Sequence, residues 1–255
     1  MVRRAQLARR WRGPCRIYFV HAPPANRTVS GGPSSWTLAR IAMYVPKHFD
    51  ESRVDVLHDL ICARPLATLV TLSSDGLTAN HVPLLISAEP VPFGTLRGHV
   101  ARSNPIWTDI TKGIEALAVF HGPDAYISPS WYSTKAETGK VVPTWNYAVV
   151  HAYGTLRAVD DPLWLRANLE ALTAHNESVF AEPWHVSDAP PDFTEKLIAA
   201  VVGIEIVIAR LTGKWKVSQN QPHQNQVGVA RGLRESSNAG AQEMAALVEG
   251  AKNAR

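Results

Sequence analysis

Apolar positions along this chain follow two periods that alternate irregularly. In "DESRVDVLHDLICA" Val54, Leu57, Leu60 and Ile61 fall on one helical face, with Asp50 or Ser52 as the expected cap. "PLATLVTL" and "LTANHVPLLI" are β-rich runs joined by "SSDG", whose Asp-Gly pair suits a tight hairpin turn. "TLRGHV" predicts a third strand, "ALAVFHGPDAYIS" a strand bent at Gly-Pro, and "VVPTWNYAVVHAYG" a long strand, while "NPIWTDI" reads as a helix start. After "DDP", Leu165, Leu169 and Leu172 share one side of a helix capped by Asp161 and opened by Pro162. "FTEKLIAAV" is a short helix. Ile204, Ile206 and Ile208 alternate as in a strand, which "KWKVS" is expected to answer across a Leu-Thr-Gly turn.

Six or seven strands interrupted by a few helices, without regular β-α alternation, argue against a doubly wound parallel sheet and for a mainly antiparallel barrel. The fold class read from the pattern is therefore α+β, mainly β, with peripheral helices.

Charge divides the chain. Residues 1–42 hold eight arginines and no Lys, Asp or Glu, so the net charge of +4 leaves residues 43–255 at −4. That leader is rich in Arg, Pro, Gly, Ser and Ala and lacks either period, a disordered composition. It reads as a basic extension or a misassigned start, with Met43 opening the domain proper. Residues 43–235 form the expected domain and 236–255 a tail, a weak Ala-rich helix with Met244, Leu247 and Val248 on one side. An acidic body with no helix-turn-helix gives DNA binding no support from charge or motif. No apolar run approaches the ~20 residues of a membrane helix. Two cysteines, Cys15 and Cys62, are too few for a disulfide framework or a zinc site and fit a cytoplasmic protein.

Nucleotide loops of the G-x-G-x-x-G and G-x-x-x-x-G-K-[ST] types are missing, as are H-E-x-x-H and the G-x-S-x-G elbow. The ten histidines show no metal-ligand spacing, and no catalytic side-chain set stands out. Three stretches carry chemistry of another kind. In "RGHVARSNPIW" Asn104 before Pro105 is a favoured helix cap, so backbone N–H groups beside Arg102 and Ser103 suit a phosphate monoester. Strand parity in "VVPTWNYAVVHAYG" separates a bulky face (Trp145, Tyr147, Val149, His151, Tyr153) from a small one on which Thr144 and Asn146 are polar. Aromatics on a strand mostly fill cores, yet either face could wall a flat ligand. "KWKVSQN" puts Lys214, Lys216 and Ser218 on one edge, and "YISPSWYSTK" places Lys135 in a loop just before the aromatic strand. Anion cradle, aromatic walls and few acid-base groups suit a protein whose cofactor does the chemistry, or whose task is binding.

The blocks "MYVPKHF", "LRGHVARSNPIW", "GPDAYISPSWY", "VVPTWNYAVVHAYG" and "GKWKVSQNQ", in this order, closely resemble the PaiB family of FMN-binding negative transcriptional regulators, from Met43 to about Leu233. The resemblance implies a split β-barrel of the pyridoxamine-phosphate-oxidase-like kind, a homodimer with FMN near its interface, and a link to repression of sporulation and extracellular protease genes. It further implies that His99, Arg102, Ser103 and Asn104 lie by the FMN phosphate. Thr144, Trp145, Asn146 and Tyr147 would line the ring site, with Lys135, Lys216, Ser218, Gln219 and Asn220 nearby. Ser103 stands where the family usually has Ala, and "SQNQPHQNQVGV" lacks the Arg and Asp that usually follow "SQN". A flavin regulator is the first reading; the alternatives are an FMN-dependent oxidoreductase, or a haem protein using His99, His121 or His151 as axial ligand.

Overall fold

The computed structural model describes residues 43–73, 76–108 and 113–251. The expectations for residues 1–42 lie outside them. Eight strands form one antiparallel sheet: β1 (Asp50–Glu51), β2 (Leu66–Ser73), β3 (Gly76–Pro83), β4 (Leu85–Ser87), β5 (Thr95–Ala101), β6 (Ile114–Ile127), β7 (Thr144–Val159) and β8 (Val201–Lys216). Helices α1 (Val54–Ala63), α2 (Thr134–Thr138), α3 (Pro162–Glu177), α4 (Pro191–Ala199), α5 (His223–Glu235) and α6 (Ala239–Ala251) lie around it. The architecture is the antiparallel split barrel with peripheral helices that the sequence predicts.

The spatial order is β3-β2-β6-β7-β8-β5-β4, with β1 on the outer half of β8. Its two end strands are consecutive in the chain, separated only by Leu84, so the sheet curls round until one segment serves both ends. Gly98 makes that meeting sterically feasible: a Cβ there would sit 2.7 Å from the Pro83 carbonyl oxygen and from a Leu84 methyl. The interior is filled from five strands by Leu69, Leu96, Phe120, Val150, Ala152 and Ile206 and closed at one end by Leu57, Leu60 and Ile61 of α1. A second core beside the α1 end, sharing Trp215 and Leu247 with the first, joins Ile127 and Val217 to Val229 and Leu233 of α5 and Met244 and Val248 of α6.

Local chemistry explains the elements. Asp161 caps α3 by accepting from the backbone N–H groups of Leu163 and Trp164, and Pro162 fills the first helical position, where no donor is needed. The Gly122-Pro123 bend appears as a shift in β6-β7 register between His121 and Asp124. The predicted Leu-Thr-Gly turn does not form; β8 runs unbroken through it. Gly213 is there for close packing, since a Cβ would lie 2.3 Å from a Leu57 methyl of α1. The expected cap of α1 also moves: Asp50 belongs to β1, and Arg53 precedes the helix without a side-chain cap. Across the sheet, buried Glu205 of β8 accepts from Arg97 of β5 and Arg157 of β7, each its direct cross-strand neighbour.

Candidate functional site

β7 decides which of its two faces is available. Asn146, Ala148, Val150 and Ala152 are buried, whereas Trp145, Tyr147, His151 and Tyr153 look outward and Trp145 is 53% exposed. The small face is thus the core, where Ala148, Val150 and Ala152 pack in one cluster with Phe120 and Ile206, and the aromatic face is the outside. Outward aromatics at this density are unusual and mark a surface that meets something.

At the start of β7 this face joins the end of β8, where Tyr147 pairs with Lys216. Lys216 donates from Nζ to Thr144 Oγ1. Burial lowers its pKa, Lys214 adding to the effect and Tyr147 opposing it. Asn146, 1% exposed, donates to Ser218 Oγ at 2.9 Å inside the barrel wall. Ser218 itself adopts φ 64°, a left-handed backbone uncommon outside glycine, and Gln219 holds the turn by accepting from Val217 N at 2.7 Å and donating to the Trp215 carbonyl. Asn220 follows in the same turn. Trp145 meets Tyr126 edge-on with ring centres 6.2 Å apart, and Lys214 lies 5.4 Å from the Tyr147 ring. Exposed Lys135 lies in α2, its Nζ 3.3 Å from Ser130 Oγ. Thr144 to Tyr147, Lys216 and Ser218 to Asn220 therefore assemble as one group.

His99, Arg102, Ser103 and Asn104 form a second group where β5 ends. Measured along β8, the groups stand apart: His99 pairs with Gly203 and Tyr147 with Lys216, about 40 Å of strand away. The predicted helix after Asn104 is a three-residue 3-10 turn, Pro105–Trp107, and Asn104 fills its own cap by accepting from Ile106 N at 3.0 Å. Its amide nitrogen donates to Asn80 Oδ1 at 3.0 Å, tying the turn to β3 across the barrel opening. Arg102 is largely committed: Nε donates to Ala199 O, Nη1 to Asp160 Oδ2, and Nη2 to Asp160 Oδ1 and Val201 O, which engages four of its five N–H groups. Hydrogen bonding to that guanidinium lowers the Asp160 pKa. His99 has a buried Nδ1 with no hydrogen-bond partner, and burial pushes its imidazole below the ordinary value. Ser103 is exposed.

Sequence reasoning missed Asn80 and Asp160, and the Tyr153-Arg210 stack, in which the guanidinium lies 3.8 Å above the ring. Only "NHVP", a polar pair inside a β-rich run, hinted at the first. Among the described residues no cluster of three or more His, Cys, Asp or Glu could hold a metal, and no helix is long and apolar enough to cross a membrane.

Comparison with known proteins adds an independent finding. Residues 43–210 match the family described as "Putative FMN-binding domain". The chain is 34% identical over 226 residues to "Uncharacterized protein AN0679" of Emericella nidulans, covering 75% of this chain and 90% of that one. It is 30% identical over 210 residues to "Protease synthase and sporulation protein PAI 2" of Bacillus subtilis, covering 81% of this chain and 97% of that one. Among solved structures, the FAD and haem binding protein from Mycobacterium smegmatis has a TM-score of 0.49 at 16% identity, over 66% of this chain and 73% of that one.

Proposed function

The chain belongs to the FMN-binding domain family and is similar to PAI 2 of Bacillus subtilis, and from that premise we propose that two copies of it hold FMN between them and act as a negative transcriptional regulator. A flavin is the cofactor that this membership assigns. The observation that carries the siting is the outward turn of Trp145 and Tyr147 beside Lys216 and the Ser218 turn. An aromatic wall next to a lysine and fixed amide groups suits a planar, electron-poor ring system.

The residues present fit the rest of the cofactor as well. His99 Nδ1 is an orphaned buried polar atom, which costs about 1–3 kcal/mol unless something satisfies it. Ser103 Oγ and the remaining Arg102 N–H offer donors to a phosphate. Because Asp160 occupies most of Arg102, the arginine acts mainly by cancelling that carboxylate beside the anion and by fixing the turn to Ala199 and Val201. With the two groups at opposite ends of β8, a second copy is what brings a phosphate end and a ring end together. When bound, the flavin supplies reversible electron transfer; the protein supplies position, charge and exclusion of water.

Titration of the full chain with FMN, followed by flavin fluorescence and calorimetry, tests this directly. Saturable uptake at one FMN per copy, by a dimeric species, is the expected result. Arg102→Ala should weaken FMN by roughly tenfold or more and riboflavin far less, since it frees Asp160 against the phosphate. Equal losses for both ligands would remove the phosphate from this turn. A salt-dependent shift of promoter DNA would support regulation, whereas bleaching by NAD(P)H would favour the oxidoreductase reading and a Soret band the haem one.

A further inference from the structure

α5 lies beyond residues 43–210, the stretch that the FMN-binding family covers, yet it is built around the loop that carries Lys135. Asn225, one turn into α5 and 2% exposed, makes every contact its amide can reach. Its Oδ1 accepts from Thr134 N and from Thr134 Oγ1, both at 3.2 Å, and its Nδ2 donates to Thr134 Oγ1 at 3.0 Å and to Gln221 Oε1 at 3.3 Å. One buried side chain thus joins the residue next to Lys135 with the turn that follows Ser218 and Asn220. Gln224, the neighbouring residue, adds an exposed bond to Glu137 at 3.1 Å.

A second, independent feature fixes the same loop. Gly228 and Gly232, one helical turn apart, form a bare groove on α5 into which Trp131 sits. A Cβ at Gly228 would stand 2.0 Å from the Trp131 carbonyl oxygen, and one at Gly232 2.4 Å from its ring. Helix interiors disfavour glycine by about 1 kcal/mol each, so two at this spacing point to a seat for another element. We propose that Asn225 is a positioning residue for the cofactor, tying the start of α2 that carries Lys135 to the turn after Asn220, and that α5 is a working part of the site. The inference rests on the FMN reading above and on Lys135 contacting the ligand.

A double-mutant cycle on the full chain tests it by FMN titration. Asn225→Ala and Lys135→Ala should each weaken FMN by a similar factor, on the order of tenfold, and the double variant should be no weaker than Lys135→Ala alone. Thr134→Val, which removes the reciprocal hydroxyl from the loop side and leaves α5 intact, should repeat the result even where Asn225→Ala folds poorly. Factors that multiply, an Asn225→Ala or Thr134→Val protein with unchanged affinity, or an effect that persists when Lys135→Ala has none, would each overturn the assignment. Wild-type protein that takes up no FMN would instead refute the site reading on which it stands.

Discussion

Replacing Glu205 by Gln removes a buried carboxylate that ties three neighbouring strands together. Glu205 is 4% exposed and accepts from Arg97 Nε at 2.9 Å and Arg157 Nε at 2.9 Å, with a further bond from Arg157 Nη2. The two arginines differ: the Arg97 side chain is 25% exposed and that of Arg157 61%. Solvent screens the second pair to about 0–1 kcal/mol. The first, a sheltered charge-assisted bond, is worth about 1.5–3 kcal/mol. Glutamine keeps the volume but offers one acceptor and no charge, so the buried ion pair is broken, a change that typically costs 3–5 kcal/mol. We expect Glu205→Gln to lose about 3 kcal/mol, Arg97→Gln about 2 and Arg157→Gln under about 1. Against a total of about 5–15 kcal/mol the variants remain folded, so urea unfolding at neutral pH can read all three as midpoint shifts at constant slope. A Glu205→Gln loss below about 1 kcal/mol, or an Arg157→Gln loss equal to it, would refute the argument that burial decides the ranking.

Burial lowers the pKa of both His99 and His151, so as pH falls below about 6.5 the unfolded chain takes up protons before the native one does. Stability from this source is complete above that pH and drains away below it; melting temperatures from about pH 7.5 to 5.5 should fall less steeply in His99→Gln than in wild type. Ending the chain after Glu235 would strip Met244 and Val248 from the second core, for an expected loss of roughly 3–6 kcal/mol by thermal or urea unfolding, with new binding of a hydrophobic dye.

Elements whose ends carry their own chemistry were legible in the sequence. The Asp161-Pro162 start of α3 is local information, as are the alternation of Ile204, Ile206 and Ile208 and the bend at Gly122-Pro123. What failed depended on distant residues. Gly213 resembles a turn glycine until α1 is seen resting on it, and parity separates two faces of β7 without saying which one the narrow barrel interior admits. α5 leaves no clear sign in the sequence because its two glycines weaken the helical signal, their purpose lying with Trp131 about a hundred residues earlier. The candidate site divides in the same way. The residue types around Thr144 and Lys216 were visible, but Asp160, 58 positions from Arg102, and Asn225, 91 from Thr134, become partners only through the fold.

Closure through Leu84 also dictates an order of events during synthesis. The pairs β2-β3 and β6-β7 join neighbours in the chain and can form as they leave the ribosome, but β8 emerges only after α3 and α4, and the seam between Leu96 and Ile206, which spans 110 positions, waits for it. Until then β5 has only three-residue β4 beside it, and half the eventual wall stays unrolled. Such a long-range final step makes the protein a slow folder whose nascent form needs protection, most of all at the apolar backs of β5 and β8.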